Sequence, residues 1–305
     1  MPVSNLFSTF SNNILPVMLI SSVGWLLGKT LKIDTRSVGR VSFFFFNPIL
    51  VFSLIIHSQL PLTEIFKTAL LAIGVILGSG LIALAAGMVL KLERPVLISM
   101  LITAMFANNG NYGLPLISFA FGSNALAHSS IYFVFSALLI NTLGVLVASL
   151  GHLDLKQAFW GMVRVPTFYA VLLAGLLGYL NITLPQPLER TISLAAGAGV
   201  PLMILLLGLE LCNIRWTSHW QALGVGASIR LLIGPLLGLG LTALLGITGP
   251  GRQAGVMESA MPVAVANTNL AGEYNLDSAL VAATILVSTL ISPLTLTPLI
   301  LFLGK

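Results

Sequence analysis

Five asparagines, a glutamate and an arginine stand inside stretches that are otherwise apolar, and these side chains could do chemistry. Asn108, Asn109 and Asn111 fall in Asn108-Asn109-Gly110-Asn111-Tyr112-Gly113-Leu114-Pro115, midway along the apolar segment from Pro95 to Phe121. Asn267 and Asn269 follow Met261-Pro262 midway along a second segment, from Gln253 to Gly272. Glu258 precedes Pro262 by four residues, about one helical turn from the interruption. Arg230 is the basic residue that lies well inside an apolar run. Amides offer neutral donors and acceptors. An interrupted helix adds free N–H groups and a positive dipole end for a carboxylate, and unwound carbonyls for a cation or hydroxyl. The spacing therefore assigns substrate contacts to Asn108, Asn109, Asn111, Pro262 and Asn267, with Asn47 facing the same space from Asn47-Pro48. Glu258 is the candidate for binding a coupling ion, H+ or Na+. Arg230 has three readings: neutralising Glu258, contacting an anion, or serving a helix C-terminus.

Each of these residues also has a plain structural use. Asparagines join helices in membranes by hydrogen bonds, and a lone Asn141 in a regular span is read that way. Glu258 could lie wet at the outer interface beside Arg252. Glu210, next to Cys212, Asn213 and Arg215, reads as interfacial. His57, His128, His152 and His219 fall near span ends without metal-ligand spacing.

The elements that hold these residues must be membrane helices. The chain has 305 residues, 57% hydrophobic and 8% charged, against about 25% charged in a soluble domain. Mean hydropathy is +1.01. One cysteine, Cys212, excludes an internal disulfide. The net charge of +5 comes from Lys and Arg scattered in short loops, which is no nucleic-acid signal. The first dozen residues lack a basic stretch, so the first apolar run is expected to be a retained span and not a leader. No phosphate-binding Gly-x-x-x-x-Gly-Lys and no nucleophile–base constellation is present, so neither ATP hydrolysis nor another enzyme activity is expected, and no cofactor.

About 20 apolar residues cross a bilayer. Runs between charged or Gly/Pro-rich breaks give ten candidate spans, at roughly 13–31, 37–57, 65–90, 95–121, 128–150, 160–180, 190–212, 220–246, 253–272 and 278–302. Lys29, Lys32, Arg36, Arg40, Lys91, Arg94, Lys156, Arg164 and Arg215 fall on one side, which should be cytoplasmic; both termini then face outward. Ten spans divide into five and five, residues 1–150 and 165–305, joined by a cytoplasmic connector at 151–164. An odd number per half makes the second half an inverted repeat of the first. Asn47-Pro48-Ile49-Leu50 matches Val200-Pro201-Leu202-Met203, and the two interrupted segments hold corresponding places. Phe43 to Phe46 faces lipid or a greasy domain interface, with a homodimer contact as an alternative.

Met261-Pro262, followed by Ala271-Gly272-Glu273-Tyr274-Asn275-Leu276-Asp277 and a final apolar span, resembles a signature of the auxin efflux carrier family. That family includes plant auxin carriers and bacterial permeases for small organic acids. Phe106-Ala107-Asn108-Asn109-Gly110, Tyr112-Gly113-Leu114-Pro115-Leu116 and Asn47-Pro48 are similar to its other marks, over essentially the whole chain. Ala107 stands where the family often has proline. The resemblance implies an all-α, ten-helix fold of two inverted five-helix repeats, like that of bile-acid symporters. Helices 4 and 9 would cross at their broken points. Helices 1, 2, 6 and 7 would form a scaffold, and helices 3–5 and 8–10 a moving transport domain. The implied activity is secondary transport of small organic anions, such as malate or auxin-like acids, by an elevator mechanism in a bacterial inner membrane. A membrane sensor that binds at the same crossing without transport is the alternative.

Overall fold

The computed structural model describes residues 3–58, 60–149, 165–180, 182–213 and 216–304. The expected connector at 151–164, with Lys156 and Arg164, lies outside these residues, as does Arg215. Among the described residues the fold is helical, apart from one isolated backbone pairing of Ala107 with Val263.

The helices run in the order α1 (Ser4–Leu31), α2 (Thr35–Ser58), α3 (Leu62–Val89), α4 (Arg94–Met105), α5 (Asn109–Ala148), α6 (Pro166–Tyr179), α7 (Gln186–Glu210) and α8 (Trp220–Leu244). The short α9 (Gly249–Ala260) and α10 (Asn267–Glu273) follow, then α11 (Ser278–Leu303). Among the described residues seven helices are long and apolar enough to cross a bilayer: α1, α2, α3, α5, α7, α8 and α11. Their outer faces carry exposed apolar side chains, such as Leu19, Val23 and Leu26 on α1 and Leu81 on α3. Buried serines, threonines and asparagines point inward instead. That inversion of the soluble pattern is what a lipid surround selects.

α5 is 40 residues long. At 1.5 Å per residue it would reach about 60 Å, twice the hydrocarbon thickness. Gly122, at φ 76° and ψ −166°, breaks it into arms at 109–121 and 123–148. A side chain would be strained at that φ, so glycine makes the reversal in one residue. The sequence suggested a short loop between spans here; one glycine suffices.

Prolines are accommodated by a repeated device. Wide i→i+5 turns occur at Phe10–Ile14, Ser42–Phe46, Asn109–Gly113, Ile140–Gly144 and Ile229–Ile233. Four of them are followed two residues later by Pro16, Pro48, Pro115 or Pro235. A proline ring clashes with the carbonyl four residues earlier and gives it no hydrogen bond. In each case that carbonyl belongs to the wide turn, whose extra residue makes room for the ring. Pro201, Pro293 and Pro298 sit inside α7 and α11 without such a turn.

α1 lies along α7, while α2 packs on α6 and α7. Gly208 permits the first of these contacts. A Cβ there would come within 2.7 Å of the Trp25 backbone nitrogen and closer still to the Ser21 carbonyl. Small residues at a helix crossing let backbones approach, the usual basis of packing in lipid. The remaining helices form a second set, in which α3 packs on α4, α5 and α8, and α9 packs on α5 and α8.

Candidate functional site

The two interruptions expected from sequence are real breaks, and they meet. α4 ends at Met105, Phe106 turns extended (φ −106°, ψ 115°), and helix resumes at Asn109. α9 ends at Ala260 with Met261 extended, and helix resumes at Asn267. Between them the chains pair antiparallel. The Asn108 N–H donates to the Pro262 carbonyl at 2.7 Å, and the Ala264 N–H donates to the Phe106 carbonyl at 3.0 Å. The Val263 N–H donates to Ser288 Oγ on α11 at 3.1 Å. Each break thus satisfies groups the other exposes, the condition for non-helical backbone at membrane depth. Ala107 sits in the pairing, so no proline is needed there.

Arg230, 1% exposed, serves the helix ends this leaves. Its Nη1 donates to the carbonyls of Ala104 and Met105, each at 3.1 Å, at the end of α4. Its Nη2 donates to the Ser259 carbonyl at the end of α9. Those carbonyls carry the negative ends of two helix dipoles and have no partners along the helix. A forked cation answers both at once. These hydrogen bonds fit the helix-end reading of Arg230, which does not line the cavity described below.

Glu258, fully buried, lies behind the crossing. Asn109 Nδ2 donates to its Oε2 at 2.6 Å and to its backbone carbonyl at 3.0 Å. Ser129 donates to Oε1. Ser136 Oγ donates to Asn109 Oδ1 at 2.8 Å, so the Asn109 amide is engaged at both ends. The carboxylate is therefore internal, not wet at an interface. Sequence reading missed Ser129 and Ser136. Their seven-residue spacing puts them two turns apart on one helix face, a signal that could have found them.

A cavity of about 960 Å³ opens on the other side of the crossing. Asn108, Asn109 and Asn111 line it, as does Asn47, whose Oδ1 accepts from Ser42 at 3.0 Å. Asn108 Nδ2 is buried and finds no partner among the described residues. Asn111 Nδ2 donates to Glu210 Oε2 at 3.1 Å, and Glu210 faces the cavity from the end of α7. Thr268 and Asn269 on α10 line it too. Asn267 does not: it is fully buried and donates to the Phe106 carbonyl at 3.3 Å, bracing the crossing. Pro262 contributes its carbonyl to the pairing and is likewise off the wall. Arg36 and Arg40, read from sequence as orienting charges, also line the cavity. Asn141 lines it as well, while its Nδ2 donates to Ala137 O at 2.7 Å.

These features define an integral membrane protein with two interrupted helices crossed beside a polar cavity. The pattern of the family described as "Membrane transport protein" matches residues 9–300. The chain belongs to that family, the one of the auxin efflux carriers. It is similar to an uncharacterized transporter of Methanothermobacter thermautotrophicus, 32% identical over 193 residues, which are 63% of this chain and 63% of that relative. An uncharacterized transporter of Methanocaldococcus jannaschii is 27% identical over 214 residues, 67% of this chain and 68% of the relative. The match thus spans a little under two thirds of the first relative's length.

Proposed function

We propose that the protein is a secondary transporter of small organic acids, working by elevator-type alternating access. The observation that carries this is Asn108, which lines the cavity beside the start of the 109–121 arm and whose buried amide Nδ2 has no partner among the described residues. A substrate carboxylate there would accept from Asn108 Nδ2 and from the free N–H groups of the new helix.

In this reading the helices are two inverted repeats. α4 with the 109–121 arm makes one interrupted span, and α9 with α10 its counterpart. α1, α2, α6 and α7, which pack on one another, form the fixed scaffold, and the remaining helices carry the crossing. The cavity is lined by Arg36 and Arg40, which the loop charges would put on the cytoplasmic side, and in this reading it opens toward that side. Asn109 links the cavity to the Glu258 carboxylate and would couple substrate to an ion held there, H+ or Na+.

Flux of labelled short carboxylates into proteoliposomes tests the reading. Wild type should show saturable uptake, and Asn108→Leu should abolish it while the protein still folds. Wild-type uptake in Asn108→Leu would refute the site. Tight binding with no uptake in the wild type would make the protein a sensor instead.

A further inference from the structure

Glu210 is a carboxylate where a site for plain anions should have none. It faces the cavity from the last residue of α7 and accepts from Asn111, three residues along from the unpaired Asn108 amide. A helix C-terminus and a membrane interior both disfavour a negative charge there, unless a cation joins it. The charged side chains on the cavity wall among the described residues are Arg36, Arg40, Glu210 and Glu273. With Glu210 ionised beside a bound cation, two positive and two negative side chains balance. A cavity specialised for anions would be net positive; a balanced one suits a ligand whose own charges balance.

We infer that the cargo is zwitterionic: a small α-amino acid whose carboxylate meets Asn108 and the start of the 109–121 arm while its ammonium meets Glu210. This rests on the crossing being the carboxylate site, and it narrows the substrate class. Asn108 and Asn111 stand three residues apart in the chain and line the same cavity as Glu210. Phe106, Phe133, Ile140 and Leu206 supply apolar wall for a side chain. A dicarboxylate would instead bring a second negative charge toward Glu210.

Thermal stabilisation of the purified full-length chain by a matched set decides this. Leucine carries both groups, 4-methylpentanoate lacks the ammonium, 3-methylbutylamine lacks the carboxylate, and malonate carries two carboxylates. Leucine should bind at least about tenfold more tightly than each of the others, the worth of one hydrogen bond to a charged group. Glu210→Gln should bring leucine and 4-methylpentanoate to within about threefold of each other. Wild-type binding of 4-methylpentanoate or malonate equal to that of leucine overturns the ammonium site. If that binding is still lost in Asn108→Leu, the carboxylate site stands without it. If no carboxylate's binding responds to Asn108→Leu, both readings fall. The wild-type comparison decides even if Glu210→Gln does not fold.

Discussion

Arg230 and Glu258 are both buried ionisable side chains, and they do different work. Arg230 ties together the ends of α4 and α9, so its removal strips three carbonyls of their donor. Each buried unsatisfied group costs about 1–3 kcal/mol. Arg230→Met should therefore lower unfolding stability in detergent by at least about 3 kcal/mol. Arg230→Lys should fall between, because an ammonium cannot fork across two helix ends. Unchanged melting of Arg230→Met would show that the ends are held by other means. Glu258 is expected to matter to coupling instead. In proteoliposomes, wild-type uptake should fall when Na+ is replaced by choline or when the pH gradient is collapsed. Uptake by Glu258→Gln should respond to neither. A variant that keeps the wild-type ion response would remove Glu258 from the coupling role.

Among the elements, the α1–α7 contact is the most exacting. Gly208 leaves no room for a Cβ against the α1 backbone, at Ser21 and Trp25. Gly208→Leu should separate the two helices and cost about 1–3 kcal/mol or more, the usual effect of overpacking. A melting midpoint in detergent would show it, whereas Gly175→Leu in α6, where a Cβ meets nothing within 4 Å, should melt as wild type. Equal loss in both would mean that general helix strain, not the close approach, sets the effect. The wide turns before Pro16, Pro48, Pro115 and Pro235 belong to this scale too: they let prolines stand in helices that remain continuous.

At the scale of the whole molecule, the cavity should be reached from the side of Arg36 and Arg40. Cys212 is the one native cysteine, so a Cys212→Ala background is clean for labelling. Thr268→Cys in that background should react with a membrane-impermeant maleimide added from the cytoplasmic face and be spared from the other. Adding a transported acid should slow the labelling. Equal reaction from both faces would describe a pore and not an alternating carrier.

Much of this was written in the sequence. Composition and apolar run length fix a helical membrane protein, because lipid leaves the backbone no other partner than its own helix. The two interruptions were legible because asparagine, glycine and proline in mid-membrane need a reason. Partners across the fold were not legible. Glu210 read as interfacial, yet it faces the cavity beside Asn111, and Asn267 read as a substrate contact, yet it braces Phe106. The sequence says which polar groups must be satisfied; only the crossing of distant segments decides by whom. That follows from the physics: a buried polar group makes its demand locally, but the atom that meets it can come from anywhere in the chain.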